Sequence, residues 1–389
     1  MIQPADRIQS PPGIFNELEI SKRQAEANGW SVIDLGIGSP DQAPAEHVIN
    51  ALHQAIDDPM NYRYPMQEPK ELYQAASAWY KDRFGVTIDP ANEIVAVAGS
   101  QDGLAHLPLA YLNPGDIALV PDPGYPIYSY GVRLAGGIVH PLPLTRENNY
   151  LPDFSALSPE VLQSAKLMIL NYPANPMAAV ADRDFFEKVV SIAKRYDILV
   201  CHDVAYSELC FDGFVPMSFL EVPGAKDIGV EFFSLSKTYN LAGCRLGFMV
   251  GNSEVVANLA KLKSNIDYGI FLAIQKAGTA ALTGEQTLPQ QNAATYQRRR
   301  DLLLDGLAKA GWQIEKPRAS MFVWAPLPPG YTSCLTFCQE LLAKTGVVMV
   351  PGTAFGQQGE GFVRIALVQD DALLLEVVER IQNQYQFAK

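Results

Sequence analysis

The stretch FFSLSKTYNLAGCRLGF, residues 232–248, holds a single lysine, Lys237, between two apolar runs. Ser234 and Ser236 precede this lysine, and Arg245 follows it. The first run is apolar at consecutive positions, which is typical of a strand that is buried on both faces of a sheet. Lys237 therefore follows the end of a predicted buried strand, where it is either a solvated loop charge or an amine with a chemical task.

Short β-rich runs alternate with helical patterns over most of the chain. The helix predicted over 182–196, for example, repeats apolar residues such as Phe185 and Val189 on one face. This alternation predicts an α/β fold, in which a large domain has a mostly parallel seven-stranded sheet between helices. The predicted strands cover 93–99, 116–123, 135–144, 166–173, 197–208, 230–237 and 245–251.

From about residue 252 the pattern changes to long helices and then to a mixed α+β composition. At 389 residues the chain is also longer than a single core usually grows. We therefore expect an N-terminal segment over 1–45 that joins the small domain, a large domain over 46–285 and a small α+β domain over 286–389. In the small domain, strands are predicted near 312–317, 321–327, 346–351 and 361–367, and helices over 333–345 and 370–386.

The chain is acidic, with a formal net charge of −12. Nucleic acid is not expected as a partner, because binding a phosphate backbone requires a clustered cationic surface. The basic run QRRR at 297–300 is interpreted as a solvated helix face.

The five cysteines include no CxxC pair, which is typical of a reducing compartment. Cys334 and Cys338 share a helix face, but no histidine lies near them, so core packing is favoured over a metal site. The N-terminus lacks an apolar signal core, and no uninterrupted run of about 18 apolar residues occurs. We expect a cytoplasmic protein that binds neither metal nor membrane.

Polar or loop-forming residues follow several predicted strands, at the sheet edge where open α/β folds bind ligands. GSQDGLAHL at 99–107 predicts a glycine turn and a helix N-terminus, which is either an anion site or an ordinary βα turn. Neither GxGxxG nor GxxxxGK[ST] occurs, so neither a dinucleotide nor a triphosphate is indicated.

Two later strand ends carry side chains that suit a planar ligand. Asn171 and Asn175 of NYPANP offer donors and acceptors between prolines, although such asparagines also serve their own turns. Asp203 and Tyr206 follow the next strand, and a carboxylate at that depth must be paired. His202 falls on the opposite face of this strand by alternation and is interpreted as structural.

Together these strand ends provide an anion cradle with an added arginine, a buried acid, an asparagine, a tyrosine and an amine. Pyridoxal phosphate presents the groups that match them, because it has a phosphate, a cationic ring nitrogen, a ring oxygen and a carbon that forms a Schiff base. The sequence therefore predicts a site for this cofactor.

The segment SLSKTYNLAGCRLGFMVG, 234–251, resembles the SxSKxxxxxGxRxG lysine motif of the class I aminotransferases, which are fold type I pyridoxal-phosphate enzymes. GSQDGL, PDPGYPIY, NYPANP, DVAY and FVRIAL accompany it in order, so the resemblance covers nearly the whole chain. GIGSPD and DYGIF are similar to the group that contains the LL-diaminopimelate, alanine and aspartate aminotransferases.

The resemblance implies a catalytic set of three residues. Lys237 would form the Schiff base with the cofactor and then move the Cα proton of the substrate. Asp203 would pair with the ring nitrogen, and Tyr206 would hydrogen-bond the ring oxygen together with Asn175.

The remaining matches concern the ring face, the substrate, the partner subunit and the phosphate. Tyr125 would stack on the ring. Gly38, Asn175 and Arg364 would bind the substrate, with the guanidinium gripping the α-carboxylate in bidentate fashion. Tyr64, with the segment 266–271, would reach the cofactor site of a partner in a homodimer. The phosphate would be held by Ser100, Gln101, Ser234, Ser236 and Arg245.

The implied activity is amino transfer between an L-amino acid and a 2-oxo acid, either 2-oxoglutarate or pyruvate, with ping-pong kinetics. A β-eliminating carbon–sulfur lyase, or a synthase of the same fold, would use the same lysine and aspartate and stays the alternative. A non-catalytic pyridoxal-phosphate-binding regulator is disfavoured, because the chain is acidic and shows no extra N-terminal DNA-binding domain. A Rossmann oxidoreductase would require the glycine fingerprint that is missing.

Three positions depart from the family pattern. NPMAA at 175–179 stands where NPTGA is usual, which alters the turn beside Asn175. The loop over 64–72 lacks a common glycine, and Cys244 stands where tryptophan is frequent. None of these changes removes a predicted catalytic group.

Overall fold

The protein is described by a computed structural model over residues 2–5, 7, 14–66, 70–385 and 387. The predicted N-terminal segment, 1–45, and the loop over 64–72 therefore each include residues outside the described ranges. Among the helices that are described, none combines the length and the apolar character that crossing a bilayer requires.

The described chain alternates strands and helices as far as residue 251 and is mostly helical beyond it. The strands are Ile33–Asp34 (β1), Ile94–Val97 (β2), Ile117–Asp122 (β3), Ile138–Pro143 (β4), Ala165–Asn171 (β5), Leu199–Asp203 (β6), Gly229–Ser234 (β7), Gly247–Gly251 (β8), Phe322–Pro326 (β9), Val347–Val348 (β10), Val350–Pro351 (β11) and Phe362–Ala366 (β12). The α-helices are Ile14–Ala27 (α1), Glu46–Ile56 (α2), Lys70–Phe84 (α3), Ser100–Tyr111 (α4), Pro126–Leu134 (α5), Pro159–Ser164 (α6), Arg183–Tyr196 (α7), Ala225–Ile228 (α8), Leu235–Thr238 (α9), Ser253–Lys263 (α10), Leu272–Thr283 (α11), Thr287–Lys309 (α12), Cys334–Thr345 (α13) and Asp371–Gln384 (α14).

Seven strands form one sheet in the order β2-β8-β7-β6-β5-β3-β4. β8 runs antiparallel to both of its neighbours, and the other neighbouring pairs are parallel. All seven strands predicted for the large domain are present. The predicted fold class, a mostly parallel seven-stranded sheet between helices, is confirmed.

The central strands are apolar at consecutive positions because helices cover both faces of the sheet. Along β5, Met168 and Leu170 belong to one buried cluster, whereas Leu167 and Ile169 belong to a second cluster. Alternate residues of one strand point to opposite faces, so the two clusters are the two layers that sandwich the sheet.

The C-terminal part has a sheet and a core of its own. β11, β12 and β9 are antiparallel, and most buried residues of β9 and β12 share a cluster with α13 and α14. β1 pairs in parallel with β10 and thereby attaches the N-terminal segment to this part. Cys334 and Cys338 are buried in the same cluster. The domain boundaries after residues 45 and 285 stay a prediction.

The strand predicted near 312–317 is wrong. Trp312 buries its side chain and donates from Nε1 to Pro326 O at 2.8 Å, but its backbone N–H bonds back to Leu307 O at the end of α12. Pro317 has no N–H, and its carbonyl accepts a hydrogen bond from Arg300 Nη1 at 2.7 Å. The apolar character of this segment reflects the burial of Trp312, and the Trp312 N–H and the Pro317 carbonyl are hydrogen-bonded outside any ladder.

Two other predicted strands end earlier than expected, and this sets the position of the lysine. β6 ends at Asp203 and β7 at Ser234, and Lys237 lies on α9, a single helical turn after β7. Ser234 caps that turn by accepting a hydrogen bond from Ser236 N at 3.2 Å. In the register of the parallel strands, Asn171 of β5 is opposite Asp203 of β6. The predicted site residues that follow these strands thus start from one sheet edge.

Candidate active site

A cavity of about 300 Å³ lies at the carboxyl edge of the seven-stranded sheet. Twelve of the thirteen predicted site residues line it, and only Tyr64 does not. A larger cavity of about 770 Å³ runs along β2, and none of the predicted site residues is among those that line it. The twelve are Gly38, Ser100, Gln101, Tyr125, Asn175, Asp203, Tyr206, Ser234, Ser236, Lys237, Arg245 and Arg364.

The Lys237 amine is partly buried and lies near two cations, Arg245 and Arg364. Its Nζ donates a hydrogen bond to Gly38 O at 2.7 Å. Burial, together with the charges of Arg245 and Arg364, lowers the pKa of the amine to about 8, although the nearby Asp203 carboxylate acts in the opposite direction. An amine with this pKa is partly neutral near pH 7, which is the form that attacks carbonyl carbons and accepts protons.

Asp203 ends β6 and is buried, and burial raises the pKa of its carboxyl. Tyr128 Oη donates to Asp203 Oδ2 at 2.7 Å, and Ala205 N donates to Oδ1 at 3.3 Å. A buried carboxylate with two neutral donors favours a nearby cation, because opposite charge offsets the loss of hydration. The protonated ring nitrogen of a heterocycle would meet that requirement.

Tyr128 was missed in the sequence analysis. It lies on α5 and is wholly buried, and 75 residues separate it from the carboxylate that it contacts. The sequence could have indicated such a contact only through the chemistry of tyrosine, since a buried tyrosine hydroxyl usually has a hydrogen-bond partner.

Asn175 and Tyr206 lie side by side in the cavity. Asn175 Nδ2 donates to Tyr206 Oη at 3.4 Å, and Asn175 Oδ1 accepts from Arg364 Nη1 at 2.9 Å. Asn171 stabilises the turn that carries Asn175, because its Oδ1 accepts a hydrogen bond from Asn175 N at 2.7 Å and its Nδ2 donates to Asp203 O at 2.8 Å. Asn171 therefore joins the ends of β5 and β6, and Asn175 faces the cavity.

The anion cradle is formed where β2 turns into α4. Gly99 has a φ of 81°, and α4 begins at the next residue, Ser100. A Cβ on Gly99 would overlap the guanidinium of Arg245, so only glycine lets the arginine approach the helix N-terminus. Arg245 Nη1 is held by Ala242 O at 3.0 Å. Free backbone N–H groups, a helix dipole and a guanidinium at one place suit a phosphate.

Arg364 of β12 faces the same cavity from the C-terminal part of the chain. Its Nη2 donates to Gly36 O at 2.6 Å, and its Cζ lies 4.2 Å from the ring centre of Phe322 and 4.6 Å from that of Phe355. Burial lowers the pKa of this guanidinium to about 10, which still leaves it charged at neutral pH. The two rings were missed from the sequence, and they hold the guanidinium plane where a carboxylate can meet it.

Three further residues complete the description. Tyr125 Oη donates to Gln101 Oε1 at 2.9 Å, which fixes the tyrosine ring at the cavity wall. Tyr64 is 77 % exposed and lies outside the cavity, 5.7 Å from the ring of Tyr268. His202 lies on the far face of β6, where its Nδ1 is 2.8 Å from Glu231 Oε1.

The chemistry of this donor set fits pyridoxal phosphate. An amine of lowered pKa could bind its aldehyde carbon, a buried carboxylate its ring nitrogen, and the asparagine–tyrosine pair its ring oxygen. The cradle that Gly99 keeps open could hold its phosphate. Arg364 is then left for the carboxylate of a substrate.

Comparison with known proteins gives one consistent result. The family described as aminotransferase class I and II matches residues 31–381. The LL-diaminopimelate aminotransferase of Syntrophobacter fumaroxidans is 48 % identical over 97 % of this chain and 98 % of that protein. The corresponding enzyme of Moorella thermoacetica is 47 % identical over 98 % of both chains.

Two solved structures extend the comparison to the fold. Substrate-bound BacF from Bacillus subtilis superposes with a TM-score of 0.96 at 39 % identity, covering 100 % of this chain and 99 % of BacF. A probable N-succinyldiaminopimelate aminotransferase from Thermus thermophilus superposes with a TM-score of 0.90 at 38 % identity, covering 95 % of this chain and 99 % of that one.

Proposed function

The chain belongs to the class I and II aminotransferases, and we propose that its amino donor is LL-diaminopimelate and that its acceptor is a 2-oxo acid, with 2-oxoglutarate preferred to pyruvate. It is a pyridoxal-phosphate-dependent transaminase. One observation carries the choice of donor: relatives with that activity align over nearly the whole chain at 43 to 48 % identity. The structural neighbours at 38 to 39 % identity carry other names.

Each cavity residue has a proposed task in this reaction. When bound, pyridoxal phosphate supplies a ring that withdraws electrons from the substrate Cα. Asp203 holds a proton at the ring nitrogen, with Tyr128 keeping the carboxylate ionised. The Lys237 amine removes the Cα proton of the amino donor, and in the second half of the reaction it returns a proton to the Cα of the acceptor. Its pKa of about 8 permits both transfers near neutral pH.

The substrate carboxylate is proposed to lie against Arg364 and Asn175. Both are buried, so the contact is made in a site from which water is largely excluded. Gly38 lies beside them, and a Cβ there would overlap the Phe322 ring, so the backbone can come closer to a ligand than any side chain would allow. The Lys237 hydrogen bond to Gly38 O must break before the amine can act.

A donor panel with 2-oxoglutarate tests the substrate. We expect kcat/KM for LL-diaminopimelate to exceed that for meso-diaminopimelate, N-succinyl-LL-diaminopimelate, aspartate, alanine and phenylalanine by about tenfold or more. A larger value for any other donor would overturn the substrate and leave the transaminase class intact. The products distinguish amino transfer from β-elimination. Transfer forms glutamate in an amount equal to the donor consumed, whereas β-elimination would form pyruvate and ammonia from a β-substituted amino acid.

We also propose that the enzyme is a homodimer in which Tyr64 reaches the phosphate site of the partner subunit. Four exposed aromatic side chains support an interface there, since Tyr62 lies 5.3 Å from Phe271 and Tyr64 lies 5.7 Å from Tyr268. Tyr64→Ala and Lys237→Ala proteins are expected to be nearly inactive alone and to regain activity when unfolded and refolded together. Mixed dimers without activity, or a monomer on ultracentrifugation, would contradict this assembly.

A cytoplasmic location is the remaining part of the proposal. It is supported by the five cysteines, all of which are free thiols in the structure. Fractionation of the native cells tests it, and recovery in an envelope or secreted fraction would refute it.

A further inference from the structure

A buried lysine lies outside the active-site cavity, at the end of a helix that packs beside the phosphate cradle. Lys263 is the last residue of α10, and α10 and α4 contribute Leu259 and Leu107 to one buried cluster. Lys263 is only 5 % exposed and is not among the residues that line the active-site cavity. A buried ammonium group is unfavourable unless anions pair with it, so its partners indicate its role.

Two carboxylates share the Lys263 ammonium group. Its Nζ donates to Asp102 Oδ2 at 2.6 Å and also forms an ion pair with Asp267 Oδ2. His106 Nδ1 lies 2.9 Å from Asp102 Oδ1. Although burial acts in the opposite direction, His106 and Lys263 hold the pKa of Asp102 well below its ordinary value. Asp102 is therefore ionised throughout the neutral pH range.

Asp102 belongs to the turn that forms the phosphate cradle. It is the third residue of α4, and its Oδ2 accepts a hydrogen bond from Ala98 N at 3.1 Å. Ser100 and Gln101 line the active-site cavity, whereas Asp102 does not. The hydrogen bond therefore closes the turn around Gly99 from outside the cavity. The shape of the cradle depends on where the Asp102 carboxylate is held.

The charge of Asp102 has the wrong sign for a phosphate site. The positive end of the α4 dipole attracts any anion near the first turn, whether it is a carboxylate of the protein or a bound phosphate. Without a cation beside it, the Asp102 carboxylate would oppose the binding of a second anion at the same helix end. Lys263 offsets this charge, and because the pair is buried the solvent screens the interaction little.

We propose that Lys263 is a positioning residue for cofactor binding, which neutralises Asp102 and holds it where it closes the phosphate cradle. The inference rests on the proposed assignment of the cofactor phosphate to the N-terminus of α4, and it does not depend on the amino donor. Asp267 serves a different turn, because its Oδ1 accepts a hydrogen bond from Gly269 N at 3.0 Å. The effect on the cofactor is therefore assigned to the Asp102 side of the ion pair.

Titration of cofactor-free protein with pyridoxal phosphate and with pyridoxal, followed by visible absorbance, tests the proposal. The two compounds share the aldehyde and the ring, and only the first has a phosphate. Lys263→Met should weaken the binding of pyridoxal phosphate by about tenfold and change that of pyridoxal by less than about twofold. A purely structural role would weaken both alike. Lys261→Met removes an exposed lysine of the same helix and, as the matched control, should change neither affinity.

Second substitutions identify the carboxylate involved. Adding Asp102→Asn to Lys263→Met should restore the affinity for pyridoxal phosphate to within about threefold of the wild type, because the amide is uncharged and its oxygen still accepts from Ala98 N. Adding Asp267→Asn should restore less, since Asp102 keeps its uncompensated charge. The unfolding midpoint confirms that each variant is folded. Lys263→Gln, which keeps a donor without the charge, gives the same comparison if Lys263→Met does not fold.

The outcomes separate this inference from the phosphate assignment on which it rests. A wild-type preference for pyridoxal phosphate over pyridoxal that Lys263→Met keeps in full would overturn the inference alone. Rescue by Asp267→Asn and not by Asp102→Asn would assign the effect to the 267–269 turn and would also overturn it. Equal affinity of the wild type for the two compounds would refute the proposed phosphate site together with the inference.

Discussion

Replacing Gly99 by alanine is expected to weaken the binding of pyridoxal phosphate by about ten- to a hundredfold. Gly99 has a φ of 81°, and an added Cβ would lie 2.8 Å from Arg245 Cζ. Carbon atoms pack at about 3.5–4.0 Å, so the guanidinium has to move by about 1 Å. This is the group that we propose holds the phosphate together with the N-terminus of α4.

The magnitude follows from two separate effects. A positive φ costs a residue with a side chain about 1–2 kcal/mol, and this lowers the stability of the cofactor-free and the loaded protein alike. Loss of one charged hydrogen bond costs about 1.5–3 kcal/mol, which affects only the loaded protein. At about 1.4 kcal/mol for each factor of ten, the second effect alone gives the expected loss of affinity.

Gly213→Ala separates these two effects. Gly213 has a φ of 74°, and an added Cβ there meets nothing within 4 Å. Both variants should unfold at lower denaturant than the wild type, but only Gly99→Ala should need more cofactor in a titration of cofactor-free protein that follows visible absorbance. If Gly99→Ala bound the cofactor within about twofold of Gly213→Ala, the assignment of Arg245 to the phosphate would be refuted.

Three further predictions concern the buried charges of the cavity. Tyr128→Phe should raise the pKa of Asp203 further and weaken cofactor binding by about five- to thirtyfold, because it removes a 2.7 Å hydrogen bond to the carboxylate, whereas Tyr130→Phe on the same helix should not. Asp203→Asn should stabilise the cofactor-free protein at pH 7, since burial raises the pKa of this carboxyl and folding opposes its ionisation; the gain should vanish below about pH 4, where the carboxyl is protonated in both states. Lys237→Met should stabilise the cofactor-free protein by about 3 kcal/mol below pH 8, because the pKa of the amine falls from 10.5 to about 8 on folding, and the difference should fade towards pH 10.5 as the amine loses its charge in the unfolded chain too.

Denaturant unfolding across pH and cofactor titration check these three predictions. Equal cofactor affinities of the Tyr128→Phe and Tyr130→Phe proteins would show that the hydroxyl does not tune Asp203. A cofactor-free Asp203→Asn or Lys237→Met protein that is less stable than the wild type at pH 7 would show that the charged groups are compensated by contacts that the structure does not include.

Local sequence patterns were sufficient for the large sheet and for most of the cavity. The apolar runs of β5 to β8 are continuous because each strand is buried on two faces, and that periodicity is a property of neighbouring residues. The strand ends then place Asn175, Asp203 and Lys237 at one edge, since parallel strands finish together. The pattern failed at 312–317, where apolar side chains are buried without strand pairing.

By itself, the sequence determined the α/β class, the chemical identity of the cofactor site and the lysine, acid and arginines that line it. Only the tertiary structure decided that β8 runs antiparallel, that Tyr128 supports Asp203 and that Phe322 and Phe355 flank Arg364. The physical reason is the separation along the chain over which each kind of interaction acts. Periodicity and turn chemistry act between residues a few positions apart, whereas these contacts join residues brought together only when separate layers pack.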